Sequence, residues 1–178
     1  MLANNKIIKI QGKKIVLFIQ TKIHLHKQDL KWIKATIPVL EAFLKNKKKG
    51  WALSAKVECS LLLCGMKQMQ KLNKLHRKKD KVTDVISFPC YESFESSSLK
   101  KVKDLCLGDI VICVPQAKKQ APQFGIAWQV EMIYLFTHGF LHLCGWDHER
   151  SLKEEKKMNE WEAKLVSAIL SKCHKEYL

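Results

Sequence analysis

The amino-acid sequence predicts an α+β protein, in which one small mixed β-sheet of about four strands packs against about five helices. Short runs of β-branched and apolar residues, typical of strands, occur between longer segments in which apolar residues recur every three or four positions. The helical segments are too unevenly placed for a doubly wound parallel sheet. With 178 residues, 47% of them apolar, the chain is expected to form a single domain over residues 1–178 with a substantial core.

Four segments have the composition of strands, because each is rich in apolar and β-branched residues. These are residues 14–20, 56–64, 84–88 and 107–114. Pro89 is expected to end the third strand, since proline has no backbone N–H to donate to a neighbouring strand. The Ser-rich and charged residues 90–104 that follow are predicted to form a mobile surface loop.

Five segments have helical patterns. They are residues 28–46, 66–76, 115–124, 127–144 and the segment that begins at residue 151. Pro38 is expected to kink the first helix, and the basic residues 46–50 are expected to end it as an exposed turn. Gly145 is predicted to end the fourth helix in a left-handed conformation. Ser151 and Glu154 match a capping box at the start of the last helix.

The charge of the chain favours a polyanionic partner. The formal net charge is +15, from 32 basic and 17 acidic residues, and nucleic acid is the leading candidate. A lysine-rich surface that only keeps the protein in solution would have the same charge.

The cysteines and the apolar runs bear on the compartment. The seven cysteines are irregularly spaced and form no C-x-x-C motif, which favours free thiols in a reducing cytosol. No signal peptide is evident, and the early apolar run 15–19 is too short to span a bilayer. We therefore expect a soluble cytoplasmic protein that does not interact with membranes.

Three histidines in the segment THGFLHLCGWDHER have the spacing of metal ligands. His138 and His142 are four residues apart, so they share one face of the predicted helix. A turn at Gly145 would bring His148 back as a third ligand. Three imidazoles with an open fourth position are typical of catalytic zinc, although other divalent transition metals bind such sites. The alternative is that these are ordinary helix and loop histidines.

The same three-histidine spacing occurs in zinc proteases of the H-E-x-x-H-x-x-G-x-x-H type, but one residue of that motif is missing here. Gly139 occupies the position of the glutamate that acts as general base in those proteases. Peptide hydrolysis by that route is therefore disfavoured. Cleavage of a phosphodiester instead requires cations and hydrogen-bond donors that stabilise the charge developing on phosphate.

The arginines and two aspartates are the other candidate site residues. Among 32 basic residues only Arg77 and Arg150 are arginines, which suggests positions that need a planar bidentate donor. Asp147 is a candidate to orient an imidazole, as such metal sites usually require. Asp109 is a candidate for the same role or for binding Arg77. For both aspartates, an ordinary carboxylate in a turn or cap is an equally good interpretation.

Three segments resemble, in the same order, those of the YbeY-type endoribonucleases, the ribosomal RNA maturation factors of bacteria. They are LNKLHRKKDKVTDVISFP (72–89), LGDIVIC (107–113) and HGFLHLCGWDHE (138–149). The resemblance implies a metal-dependent endoribonuclease that cuts single-stranded RNA in the 3′-end maturation of small-subunit (16S) rRNA and in ribosome quality control. It implies zinc on His138, His142 and His148 and a functional role for Arg77. His76 stands where the family usually has an aromatic residue.

Two other functions remain as alternatives. One is a non-catalytic RNA-binding ribosome-assembly factor in which the metal stabilises the fold. The other is a zinc metalloprotease-like hydrolase, which Gly139 disfavours. The first alternative predicts that loss of a metal ligand affects folding, whereas an endoribonuclease would lose cleavage and retain its fold and its affinity for RNA. The sequence does not indicate an oligomeric state.

Overall fold

Five strands form one mixed sheet in the computed structural model, which describes residues 7–24, 26–46, 56–91, 102–146 and 151–177. In chain order they are β1 (Ile7–Gln11), β2 (Ile15–Thr21), β3 (Lys56–Cys64), β4 (Val85–Pro89) and β5 (Asp104–Cys113). Their order across the sheet is β1-β2-β3-β5-β4. The strands β2, β3 and β5 are parallel, and the two edge strands β1 and β4 are antiparallel to their neighbours. The α+β class is confirmed, with five strands instead of about four.

The additional strand is β1, which forms a hairpin with β2. Its residues alternate between exposed and half-buried, because it lies at the edge of the sheet and has little core to cover. The carboxylate of Glu41 anchors the hairpin to the first helix. Its Oε1 accepts hydrogen bonds from the backbone N–H groups of Lys14 at 2.5 Å and Ile15 at 3.1 Å.

The described residues contain five α-helices, as expected. They are α1 (Lys31–Asn46), α2 (Met66–Arg77), α3 (Val114–Gln120), α4 (Trp128–Leu143) and α5 (Leu152–Tyr177). The first begins three residues later than predicted, after a 3-10 turn over Lys27–Leu30, and it continues through Pro38. The predicted third helix is divided, since its last four residues form a 3-10 turn over Ala121–Phe124. Within the described residues, no helix is both long and apolar enough to cross a membrane.

The two helix ends predicted around residues 145–154 are confirmed. Gly145 has a φ of 81°, and its N–H donates to the carbonyl of His142 at 2.9 Å, which ends α4. Ser151 Oγ accepts a hydrogen bond from the N–H of Glu154 at 3.2 Å and so caps the start of α5.

The sheet separates two apolar clusters. The larger cluster joins the buried residues of α1, α4 and α5 to one face of the strands, including Leu61, Leu63, Ile110 and Ile112. The smaller cluster lies on the other face, where Met69 of α2 packs with neighbouring side chains. Those neighbours are Cys64, Ile86, Val111 and Cys113. Successive residues of a strand point to opposite faces, so β5 supplies both clusters.

A bulge interrupts β5 near its middle. Glu58 pairs with Cys106 but the next residue, Cys59, pairs with Gly108, so Leu107 is an extra residue in β5. Gly108 has a φ of 129°, and a Cβ atom there would lie 2.1 Å from the carbonyl oxygen of Phe88. Only glycine tolerates both this positive φ and the close approach of the Phe88 carbonyl, which explains the glycine of the LGDI segment.

Candidate metal centre

The histidines His138 and His142 lie on α4, whose other side is buried against the sheet. Both are half-buried, while residues such as Phe136 and Phe140 of the same helix are fully buried. The planes of the two imidazole rings are inclined at 74° to each other, and their Nε2 atoms lie 3.1 Å apart. Spacing of four residues on a helix therefore brings the two rings together, as the sequence predicts.

The distance between the two nitrogen atoms suits a shared metal ion. Two imidazoles bound at 2.0–2.1 Å to a tetrahedral zinc ion would have their nitrogens about 3.3 Å apart. The 3.1 Å separation of the Nε2 atoms of His138 and His142 is close to this value. A hydrogen bond between the two rings would give a similar distance. Which nitrogen of each ring carries the proton therefore decides whether the pair can bind a metal.

Glu162 of α5 favours the ring form that can bind a metal. Its Oε1 lies 3.2 Å from Nδ1 of His138. When Nδ1–H of His138 donates to this carboxylate, the lone pair of its Nε2 points towards His142. A carboxylate that holds the outer nitrogen of an imidazole is the usual arrangement around histidine ligands of zinc. The described part of the site therefore fits a metal ion of this type.

Glu162 was not predicted from the sequence, although the sequence carries a signal for it. Met158 and Leu165, four residues before it and three after it, are buried in the large apolar cluster. An acidic residue between them lies on the buried side of α5, and the Glu162 side chain is only 20% exposed. A carboxylate in such a position needs a hydrogen-bond partner, and His138 provides it.

The missing glutamate of the protease motif has a structural explanation. Position 139 of α4 faces β5, and a Cβ atom on Gly139 would lie 2.9 Å from Cγ2 of Ile110. Ile110 is fully buried, so it has little room to move away. The close packing of α4 on β5 thus leaves no space for a side chain at the position where a protease has its general base.

Asp109 lies on the face of the sheet opposite to α4, the helix that carries His138 and His142 and is called the histidine helix below. Its neighbour Ile110 contacts α4, so Asp109 points towards the α2 side, where it lines a cavity. This placement does not bring Asp109 next to His138 or His142. The carboxylate that contacts an imidazole in the described part of the chain is that of Glu162.

Arg77 is the last residue of α2, and its side chain is exposed. The chain turns immediately after it, because Lys78 adopts a left-handed conformation with a φ of 59°. Asn73 holds the loop that follows: its Nδ2 donates to the carbonyl of Lys81 at 2.7 Å. Arg77 therefore stands at the start of a fixed turn, with its guanidinium facing solvent.

Hydrogen bonds join the end of this loop to the histidine helix. Gln120 of α3 donates to Asp84 Oδ2 at 3.0 Å and to Glu131 Oε1 at 2.6 Å. Asp84 Oδ1 in turn accepts from the backbone N–H of Val85 at 2.8 Å. Glu131 is a buried residue in the first turn of α4. This network gives Asp84 a structural role.

A cavity of about 430 Å³ lies between α2 and the sheet. Its lining includes three rings, those of Phe18, His76 and Phe88, together with the polar residues Ser60 and Asp109. The rings of His76 and Phe88 meet edge to face with their centroids 4.8 Å apart. The cavity thus combines flat rings with hydrogen-bonding groups. One of its lining residues, His76, directly precedes Arg77 in the chain.

Several predicted site residues fall outside the described part of the chain. They are Asp147, His148 and Arg150, together with the turn 47–50 and residues 92–101 of the predicted loop. Within the described ranges, no three His, Cys, Asp or Glu side chains are arranged to hold a metal ion. A third ligand from His148 therefore stays a prediction.

Comparison with known proteins identifies relatives over most of the chain. A family model described as endoribonuclease YbeY matches residues 18–170. The chain is 39% identical over 132 residues to the endoribonuclease YbeY of Aquifex aeolicus, which covers 70% of this chain and 83% of that protein. It is 44% identical over 108 residues to the endoribonuclease YbeY of Leptospira interrogans, which covers 55% and 77% respectively.

A solved structure has a similar fold. The solution structure of a protein from Thermotoga maritima superposes with a TM-score of 0.58 over 89% of this chain and 93% of that one. The two sequences are 24% identical over this match, so the comparison supports the α+β fold alone.

Proposed function

The chain belongs to the YbeY endoribonuclease family, and from this membership we propose that it cuts single-stranded rRNA precursors during 3′-end maturation of small-subunit (16S) rRNA and in ribosome quality control. The protein is an endoribonuclease, and RNA is its substrate. The small ribosomal subunit and its precursors are the partners that we propose. The net charge of +15 supports a partner with a phosphate backbone.

The observation that carries the catalytic proposal is the group formed by His138, His142 and Glu162. We propose that His138, His142 and His148 hold one zinc ion, with Glu162 fixing the ring of His138. Zinc bound there would act as a Lewis acid that polarises a phosphoryl oxygen and activates water. Asp147, next to His148 in the chain, remains a candidate to orient a second imidazole.

Arg77 is proposed to bind the phosphate at the scissile bond. Its guanidinium is exposed at the end of α2, and the hydrogen bond between Asn73 and Lys81 fixes the following loop. A planar guanidinium can donate two parallel hydrogen bonds to phosphate and offset the charge that develops there. Asp109 lines the cavity on the same side of the sheet, and there it would contact the bound RNA or the guanidinium of Arg77.

The α2 side of the sheet has the features that single-stranded RNA requires. Exposed lysines recur along α2 at positions 67, 71 and 74, which places them in one stripe, and Lys74 also pairs with Asp80 at 2.6 Å. Such a stripe can follow a phosphate backbone, and an unpaired base can stack on an aromatic ring. We propose that a base of the substrate enters the cavity and contacts the ring of His76.

The decisive experiment compares purified wild-type protein with His142→Ala on single-stranded rRNA fragments. Circular dichroism would monitor folding, and RNA binding would be measured separately at matched salt. We expect the variant to fold and bind RNA, to lose zinc and to lose cleavage. Equal cleavage by both proteins would show that the activity does not belong to this site. Loss of folding with loss of zinc would instead favour an assembly factor with a structural metal.

A further inference from the structure

Two exposed thiols meet at the joined ends of β4 and β5. The Sγ atoms of Cys90 and Cys106 lie 3.2 Å apart. The backbone holds this pair in place, because the N–H of Cys90 donates to the carbonyl of Leu107 at 2.9 Å. The two residues are 16 positions apart in the chain, so the contact depends on the pairing of the two strands.

The bulge in β5 places the two side chains on the same face. Leu107 is the extra residue of that bulge, and the left-handed Gly108 allows the carbonyl of Phe88 to approach closely. Bulges commonly redirect a side chain in this way. As a result Cys106, which would otherwise be out of register with Cys90, faces it directly.

The other cysteines differ from this pair. Cys59, Cys64, Cys113 and Cys144 are buried, and Cys173 is half-buried. Burial, followed by the nearby Cys113 thiol, raises the pKa of Cys64 to about 12, so it is not reactive near neutral pH. Of the seven cysteines, only Cys90 and Cys106 are exposed, and their thiols contact each other outside the core.

The geometry points to a reversible redox site, in which Cys90 and Cys106 exchange with a low-molecular-weight disulfide such as oxidised glutathione to form an intrachain disulfide. A disulfide needs its sulfur atoms at about 2.05 Å. The two Sγ atoms must therefore approach by little more than 1 Å from their present 3.2 Å, within a strand pair that already fixes the backbone.

The exchange has two steps. The thiolate of Cys106 attacks one sulfur of the oxidised disulfide, which breaks the S–S bond, forms a mixed disulfide and releases one small thiol. Cys90 then loses its proton, attacks the Cys106 sulfur of the mixed disulfide and releases the second small thiol. One protein disulfide forms, one small disulfide is reduced to two thiols, and the two protein protons end on those thiols.

The environment of Cys90 supports this order of events. Partial desolvation, and then the hydrogen bond with Cys106, raise the pKa of the exposed Cys90 to about 11. Cys90 thus stays protonated near neutral pH and is not the first nucleophile, so in this scheme it resolves the mixed disulfide after it loses its proton. Because disulfides in reducing compartments are usually transient, the site would respond to the thiol–disulfide balance and have no permanent structural role.

The test uses the full-length reduced protein incubated with oxidised glutathione, followed by blocking of free thiols, tryptic digestion and mass spectrometry. We expect the peptide 82–100, which contains Cys90, to be linked to the peptide 104–118 through Cys106. Fragmentation between positions 106 and 113 would locate the link. Formation of the link should be more than about tenfold faster in native buffer than in urea, because the fold holds the thiols together.

Three single variants make the outcome specific. Cys90→Ser should accumulate a glutathione adduct on Cys106, since no thiol remains to resolve it. Cys106→Ser should leave Cys90 largely unmodified, and Cys173→Ser, the control, should form the link at the wild-type rate. Stable glutathione adducts on both residues of the wild-type protein without a link, or an equal rate in urea, would overturn the proposal. Neither result depends on RNA cleavage, so the proposed function is tested independently.

Discussion

The carboxylate of Glu162 lies 3.2 Å from Nδ1 of His138, and this contact joins the last helix to the histidine helix at the candidate metal centre. The two residues are 24 positions apart in sequence. The contact sets which nitrogen of His138 faces His142, so the geometry of the metal pair depends on a residue outside the histidine motif.

Replacement of Glu162 should therefore weaken metal binding. We expect Glu162→Gln to lower the affinity for zinc roughly 10- to 100-fold, as is usual when the partner of a histidine ligand is altered. Competition with a chromophoric chelator would measure this affinity without reference to cleavage. Glu160→Gln, at an exposed position of the same helix, is the matched control and should bind zinc as the wild type does. Unchanged zinc affinity in Glu162→Gln would show that this contact does not orient the ligand.

A side chain at position 139 should destabilise the protein. A Cβ atom there meets Ile110 Cγ2 at 2.9 Å, and overpacking of this kind costs about 1–3 kcal/mol. Alanine gains up to about 1 kcal/mol over glycine in helix propensity. After this gain is subtracted, we expect Gly139→Ala to lower the free energy of unfolding by up to about 2 kcal/mol, measured in urea. In an Ile110→Ala background the same change should cost less, and full additivity would contradict the packing explanation.

Arg77→Lys should reduce turnover and leave the fold unchanged. Lysine keeps the positive charge but loses the planar pair of donors, and loss of a transition-state donor commonly costs about 100-fold or more in kcat. Arg77 is exposed, so thermal unfolding should occur at the wild-type temperature. Lys71→Ala on the lysine stripe of α2 is the comparison, because it removes a charge near the same surface. It should reduce the salt dependence of RNA binding and keep kcat.

His76→Ala should weaken the binding of single-stranded RNA by about 1–3 kcal/mol, the usual contribution of one stacked base. His76→Phe should restore the binding, since a phenyl ring provides the same flat surface. Fluorescence anisotropy with a labelled single strand would measure both variants. If His76→Ala and wild type bind equally well, the His76 ring only packs against Phe88 and does not contact substrate.

Local sequence patterns were sufficient for most of the secondary structure and for the pairing of His138 with His142. These features depend on residues close together in the chain, such as the four-residue spacing of the two histidines. The hairpin strand β1 was not predicted because it covers little core, and its pattern of burial is weak. An edge strand of this kind is stabilised by its partner more than by its own composition.

Contacts between distant segments could not be predicted from these patterns. The approach of Glu162 to His138 depends on how α5 packs across α4. The placement of Asp109 away from the histidines depends on the bulge in β5, which sets the face of every later residue in that strand. Both outcomes follow from tertiary packing, which a single sequence does not reveal.

The contact between Gly139 and Ile110 also limits how this site can evolve. In a protein with this packing, one substitution to the protease glutamate would lower stability, because the new side chain would have to displace a buried isoleucine. A smaller residue at position 110 would relieve this contact, but it would create a cavity in the core. Two hydrolase types with the same histidine spacing are thus separated by a step that lowers stability, and the cause of that loss is van der Waals packing and not the metal.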